Sequence, residues 1–223
     1  LWVATDAGLY RCHNGETRLF QDVSEMISCN VKAVAFDSDG LIWTGVLGGV
    51  SIRDSVSLID NLTPDNGIPS VNVNCIAKSQ DSVMWVGTDV GIVRYAPDGS
   101  HSIRFSRRWL TDNKVTDITF DTEGNAWIAT ANGVSAIKRR MMTLEDKEKD
   151  LYGQLMKKHM RAPWTCGVLR LESPGDTATW RNSDDDNDGE YTGGYLAMES
   201  FRYAATGDPD ASMKARKAFD FLR

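Results

Sequence analysis

The residues best placed to do chemistry lie between positions 180 and 195, in the stretch WRNSDDDNDGEYTGGY. Asp184, Asp185, Asp186, Asp188 and Glu190 crowd five carboxylates together, and Trp180, Tyr191 and Tyr195 flank them. Three readings of this stretch stay open. In the first, Asp184, Asp186 and Asp188 take alternate positions of a calcium loop and Gly189 makes its sharp turn. The twelfth position of that loop is Tyr195 where a bidentate Glu is needed, so an EF-hand is not expected and a partial Ca2+ site is. In the second, Asp188 or Glu190 acts as general acid or base on a carbohydrate, because glycoside chemistry commonly uses two carboxylates. Trp180, Tyr191 and Tyr195 would then form the sugar platform, and Asp186, Asn187, Asp188 and Glu190 would bind its hydroxyls. In the third, the stretch is a solvated loop whose carboxylates favour the N-terminus of the following helix.

Other chemistries find no support in the chain. It has no GxxxxGK[ST], no GxGxxG after a strand, no HExxH and no GxSxG, which removes nucleotide-dependent and common hydrolase classes. Cys12, Cys29, Cys75 and Cys166 are far apart and show no zinc spacing, so buried free thiols are expected, with the pairing left open. His159 has no second His or Cys at helical spacing and reads as a packing residue. Formal charge is −6 over 223 residues. Residues 1–140 and 141–223 each contribute −3, so neither half hides a basic face for nucleic acid. No run approaches the roughly 18 apolar residues of a membrane helix.

The acidic stretch needs a scaffold, and the surrounding sequence predicts a helical one. Thr143 to Asp146 resembles a capping box opening an amphipathic helix of about five turns, with Leu144, Leu151, Leu155 and His159 along one stripe and Pro163 as its end. Residues 165–180 read as extended, with a turn at 173–176. Residues 192–205 read as a helix apolar on nearly every side. Gly207 then stops it, Asp208 caps the next helix and Pro209 takes its first position, which makes an αα-hairpin.

Residues 1–140 are organised differently. LWVATDAG (1–8), IWTGVLGG (42–49), MWVGTDVG (84–91) and AWIATANG (126–133) repeat in phase, with Trp2, Trp43, Trp85 and Trp127 spaced 41, 42 and 42 apart. Gly8, Gly49, Gly91 and Gly133 keep the same intervals. Before the last three Trp stand VKAVAFD (31–37), VNCIAKS (73–79) and VTDITFD (115–121). Short β-branched runs alternating with Asp/Gly turns every 42 residues or so define a four-stranded propeller blade. The weak outer strands are expected at 57–59 and 102–105. A Trp recurring at one place in each blade reads as packing between sheets. The loop 61–70, NLTPDNGIPS, departs from the repeat and reads as an inter-blade linker.

The repeated LWVATDAG-type pattern resembles the two-component-regulator propeller repeat, found in periplasmic sensor regions of bacterial hybrid histidine kinases and in secreted bacterial proteins. The resemblance covers residues 1–138 and implies a scaffold more than a function. DNDGEYT (186–192) leading into YLAMESFRY (195–203) resembles the opening of helical-barrel (α/α toroid) domains appended to such propellers.

The expected fold is therefore a partial β-propeller of four-stranded blades followed by a mainly α-helical domain fragment. Residues 1–140 supply about three and a half blades, three of them full, 141–163 a connecting helix and 164–223 the start of the helical domain. Closed propellers typically use 4 to 8 blades, so further blades are expected elsewhere in a longer protein. The resemblance implies a periplasmic or secreted bacterial protein that recognises, and in one version processes, a carbohydrate at the junction of the two domains. A non-catalytic sensing module of a two-component system and a protein-interaction scaffold are the alternatives.

Overall fold

A computed structural model describes residues 1–20, 27–173 and 175–223. The chain divides into two compact units, Leu1–Arg139 and Arg140–Arg223. Pro174, within the expected turn at 173–176, lies outside the described residues.

The first unit is a row of antiparallel meanders. Strands β1 (Trp2–Thr5), β2 (Gly8–His13) and β3 (Glu16–Leu19) form the first sheet. The second contains β4 (Val31–Phe36), β5 (Ile42–Val46), β6 (Gly49–Arg53) and β7 (Leu58–Leu62). The third contains β8 (Val73–Lys78), β9 (Met84–Thr88), β10 (Gly91–Tyr95) and β11 (His101–Arg104), and the fourth β12 (Val115–Phe120), β13 (Ala126–Thr130) and β14 (Gly133–Ile137). This is a partial β-propeller. Two sheets have all four strands and the outer two have three, where the repeat spacing predicted three full units; among the described residues no strand pairs with β14 on its far side.

The period is visible in backbone detail. β4, β8 and β12 each carry the same register shift, between Val31 and Ala33, Val73 and Cys75, and Val115 and Asp117. Glycine recurs after each Trp strand for a steric reason. Gly91 has φ +127°, and a Cβ there would sit 2.6 Å from the Arg104 carbonyl oxygen of the outer strand. Gly49, at φ +151°, would likewise drive a Cβ into the Leu62 carbonyl.

The core lies between sheets. Leu9, Val31, Ile42 and Val46 fill the first seam, Trp43, Val50, Ile68, Val73 and Val86 the second, and Trp85, Ile92, Val115 and Ile128 the third. Trp43 and Trp85 are buried, as the packing reading requires, whereas Trp127 on the last sheet is 42% exposed.

The second unit begins with α1 (Leu144–Gln154), where Thr143 Oγ1 accepts the Asp146 amide at 3.0 Å as the capping-box pattern predicts. The α-helix is shorter than the expected five turns. It passes into a π-helical turn, Leu155–His159, and the chain then makes a small hairpin of β15 (Met160–Arg161) and β16 (Trp164–Thr165) around the cis Ala162–Pro163 bond. Leu144 and Leu151 of the predicted stripe are exposed. Strands β17 (Val168–Leu171) and β18 (Trp180–Ser183) pair antiparallel. Helix α2 (Asp188–Thr206) follows, and Gly207 ends it in the left-handed conformation at φ 69°. Asp208 caps α3 (Pro209–Leu222) through the Asp210 amide, with Pro209 in the first turn. The αα-hairpin is thus formed as read.

Two expectations change. Helix α2 begins at Asp188, four residues before the predicted start, because acidic residues in a first turn complement its exposed N–H groups. It also buries only one stripe, Thr192, Tyr195 and Glu199, while Phe201 is 77% exposed; α3 and β16 cover a single face of it.

Candidate functional site

The sequence-derived residues do not gather at one point. Trp180 lies in β18, half-buried opposite Leu171. Asp184 is exposed and ion-paired with Arg161. Asp186 and Asn187 are exposed, and Asp185 accepts both the amide and the side-chain N–H of Asn187 at 3.0 Å. Asp188 uses both carboxylate oxygens on backbone, accepting Gly167 N–H at 3.0 Å and Asp185 N–H at 3.2 Å. Among the described residues no three His, Cys, Asp or Glu side chains group so as to hold a metal ion. Nor do Asp188 and Glu190 act as a pair. They are two residues apart on α2, a spacing that sends side chains to different faces.

Tyr191 and Tyr195 do come together. With Leu155, His159, Thr165, Cys166, Gly167, Gly194 and Met198 they line a cavity of about 390 Å³. The π-helical turn and β16 supply one wall and α2 the other, and Asp188 ties them by holding the Gly167 amide. The Tyr191 ring closes directly over Gly167, where no side chain would fit. The cavity is mostly apolar, with one unusual polar group: Thr165 is 2% exposed and its hydroxyl has no partner among the described residues. His159 belongs to this wall as well, with Nδ1 2.9 Å from the Cys166 carbonyl.

Beneath the cavity lies a polar network that the sequence did not disclose. Glu199 is fully buried. Tyr152 donates its hydroxyl proton to Glu199 Oε1 at 2.8 Å, and Arg202 donates to Oε2 at 3.1 Å and to Asp208 at 2.6 Å. Lys214 donates to the Tyr152 oxygen at 2.8 Å and pairs with Asp210 at 2.6 Å. Burial and the adjacent Glu199 carboxylate raise the Tyr195 phenol well above its ordinary range, so it stays neutral. The network joins α1, α2 and α3. Its members are up to 62 positions apart, which is why no local pattern announced it.

The four cysteines are free, with Cys75 and Cys166 buried, Cys12 half-buried and Cys29 exposed. Burial, followed by the Asp117 charge, pushes the Cys75 thiol up to about 12.

In the propeller unit a second cavity, of about 480 Å³, opens between the second and third sheets. Its wall includes Trp43, Tyr95, His101, Asp39, Asp60 and Asn66. Asn66 comes from the 61–70 loop that links the two blades. The cavity interrupts an otherwise regular seam. Trp2 packs on Phe36 and Trp85 on Phe120, at centroid distances of 5.7 and 5.6 Å. The matching position of the third sheet is Lys78, and Trp43 meets Tyr95 instead, at 5.7 Å.

With this geometry defined, comparisons place the chain among known proteins. Residues 67–90 and 110–132, both in the first unit, match the family described as two component regulator propeller. The extracellular domain of a hybrid two component system of B. thetaiotaomicron superposes with a TM-score of 0.56 at 26% identity, over 60% of this chain and 19% of that one. A second hybrid-system extracellular domain from the same organism gives 0.51 at 24% identity, over 63% and 20%. A one component system domain gives 0.51 at 19%, over 83% and 28%. The latter two speak to the fold alone. The chain spans 19% to 28% of the length of these structures. No curated protein matches it. No described helix is long and apolar enough to cross a membrane.

Proposed function

We propose that the chain is a ligand-recognition segment of an extracytoplasmic sensor, periplasmic or secreted, and that its ligand is a carbohydrate. The observation that carries the sensing role is the match of residues 67–90 and 110–132 to the two component regulator propeller family. The 26% identical extracellular sensor domain supports it. The carbohydrate class rests on the helical unit. Tyr191 and Tyr195 give the cavity wall aromatic surface of the kind that suits a sugar's apolar side, and the Thr165 hydroxyl, which has no partner among the described residues, lies in the same wall. Glu190 stands exposed beside Tyr191 to meet further hydroxyls.

Recognition without turnover is the version favoured. Asp188, one of the two candidates for proton transfer, is committed to two backbone amides. The test is a glycan array with an oligosaccharide-cleavage assay on the full-length parent, with and without calcium. Binding without cleavage, lost in Tyr191→Ala with the fold retained, is the expected result. Cleavage lost in Asp188→Asn or Glu190→Gln would replace sensing with processing, and a folded parent that binds no glycan would remove the carbohydrate.

A further inference from the structure

The cavity between the second and third sheets departs from the seam on either side of it in both shape and charge. Trp43, Tyr95 and His101 form a continuous aromatic wall, with Tyr95 5.7 Å from each of the other two rings. The Tyr95 hydroxyl is buried and has no hydrogen-bond partner among the described residues. A buried hydroxyl without a partner forfeits the hydrogen bonds it makes in water, so it marks a place where a polar group is wanted. Gly67 leaves the space: a Cβ there would stand 3.3 Å from His101 Nε2 and 3.4 Å from Tyr95 Oη.

The charged groups around the cavity are acidic. Asp37, Asp39 and Asp60 line it, while no Lys or Arg does among the described residues. Asp37 is already engaged through both oxygens, accepting from the Asp39 and Leu41 amides and from the Trp43 indole. Asp39 and Asp60 are exposed at the mouth and have no ion pair among the described residues. Lys78 stands nearby but turns its ammonium to the Asp37 carbonyl oxygen, at 3.3 Å. Asp60 is close enough to Tyr95 for its charge, after burial, to help push the phenol up to about 12, so the hydroxyl keeps its proton and can donate or accept.

We infer that this inter-blade cavity is a second binding site, and that it takes a small organic cation: an amine whose ammonium lies between Asp60 and the aromatic faces while its apolar body rests on Trp43. Aromatic rings attract a desolvated cation through their negative faces, and the flanking carboxylates add Coulomb attraction while disfavouring anions. A Ser38 to Ser82 hydrogen bond of 2.6 Å joins the two blades beside the cavity, so the walls are held in place without a ligand. The site lies in the propeller unit and takes a different ligand class, so its failure and that of the carbohydrate reading are told apart by which probe binds.

The test uses the full chain with phenethylammonium and tetramethylammonium as probes and 2-phenylethanol as the neutral counterpart, followed by calorimetry and tryptophan fluorescence. Both cations should bind saturably, and phenethylammonium about tenfold more tightly than the alcohol, which corresponds to about 1.4 kcal/mol. Asp60→Asn, an exposed change that leaves the core intact, should weaken the amine several-fold and leave the alcohol unmoved. Lys78→Phe should restore the aromatic seam and abolish binding of all three. Equal binding of amine and alcohol would overturn the charge-selective site, as would an Asp60→Asn variant that binds as well as the parent. No saturable binding of either cation by the folded chain would overturn the site altogether.

Discussion

Two neighbouring seams of the propeller are built from the same 42-residue period and end up different. Between the third and fourth sheets Trp85 packs on Phe120, and the seam is sealed by Ile92, Val115 and Ile128, each fully buried. Between the second and third, Trp43 finds Lys78 where the repeat calls for Phe, rests on Tyr95, and leaves a cavity of about 480 Å³. The strand register around both is the same. The hydrogen-bonded ladders fix the blade, while the side chains set on them, Lys78 and Tyr95 in one seam against Phe120 and Ile137 in the other, differ between core and pocket.

The contrast extends to how each Trp is clasped. Asp37 accepts the Trp43 indole N–H at 2.9 Å and Asp121 that of Trp127 at 3.0 Å. The third sheet has Ser79 at this position, and the buried Trp85 indole N–H has no acceptor among the described residues. The Arg94 guanidinium lies over its ring instead, at 4.7 Å. In the same turn Ser82 takes φ 64°, where the other two blades place Gly40 and Gly124 at 83° and 80°.

The sharpest way to break the comparison is to truncate both tryptophans. Trp85→Ala should cost about 3–5 kcal/mol, as other large core truncations do. Trp43→Ala should fall at the low end of that range, because a ring beside a cavity has fewer contacts to lose. Equal losses by urea unfolding would show that the two seams are packed alike. Next come the features both blades share. Gly49→Ala and Gly91→Ala should each destabilise by about 1–3 kcal/mol through positive φ, with the clash against the outer-strand carbonyl adding to it. A harmless Ala at either position would mean the blades do not share their frame.

A smaller effect sharpens the clasp. Ser79→Asp should give the Trp85 indole the acceptor its neighbours have and stabilise by about 1 kcal/mol, read as a rise in melting temperature. A fall would show that Arg94 already serves the indole better than a carboxylate can. Acid titration is the finest probe. The Trp127 indole N–H, then the Asn125 amide, hold the Asp121 carboxyl down to about 2, below the roughly 3.9 of an unfolded chain. A depressed folded-state pKa means the stabilisation is full above that ordinary value and is lost as pH falls through about 2. The melting-temperature gap between the parent and Asp121→Asn should therefore close between about pH 4 and pH 2. A gap independent of pH would show that the clasp does not depend on charge.

Much of the fold was legible because it is local or periodic. The Trp and Gly phase specified the blades, and the Thr143, Gly207, Asp208 and Pro209 signals specified helix ends, since capping depends on residues three or four apart. The candidate site was legible only in part. Tyr191 and Tyr195 reach one cavity because a helix sets residues four apart side by side. The carboxylates between positions 184 and 190 suggest a ligand cage only if the whole segment is a loop. Its second half is helix, which separates Asp188 from Glu190 and leaves Asp188 bonded to Gly167, 21 positions away.

By itself, the sequence determined the period, the strands, the helical hairpin and the kinship of the first unit with two-component-regulator propellers. These depend on side-chain alternation and turn chemistry that each short segment carries within it. Only the tertiary structure decided where space is left and which buried polar groups find partners. Glu199 meets Tyr152 across 47 positions, and Tyr95 and Thr165 keep hydroxyls beside cavities that are unmatched among the described residues. Packing and desolvation depend on every neighbour at once, and neighbours distant in the chain leave no spacing to read.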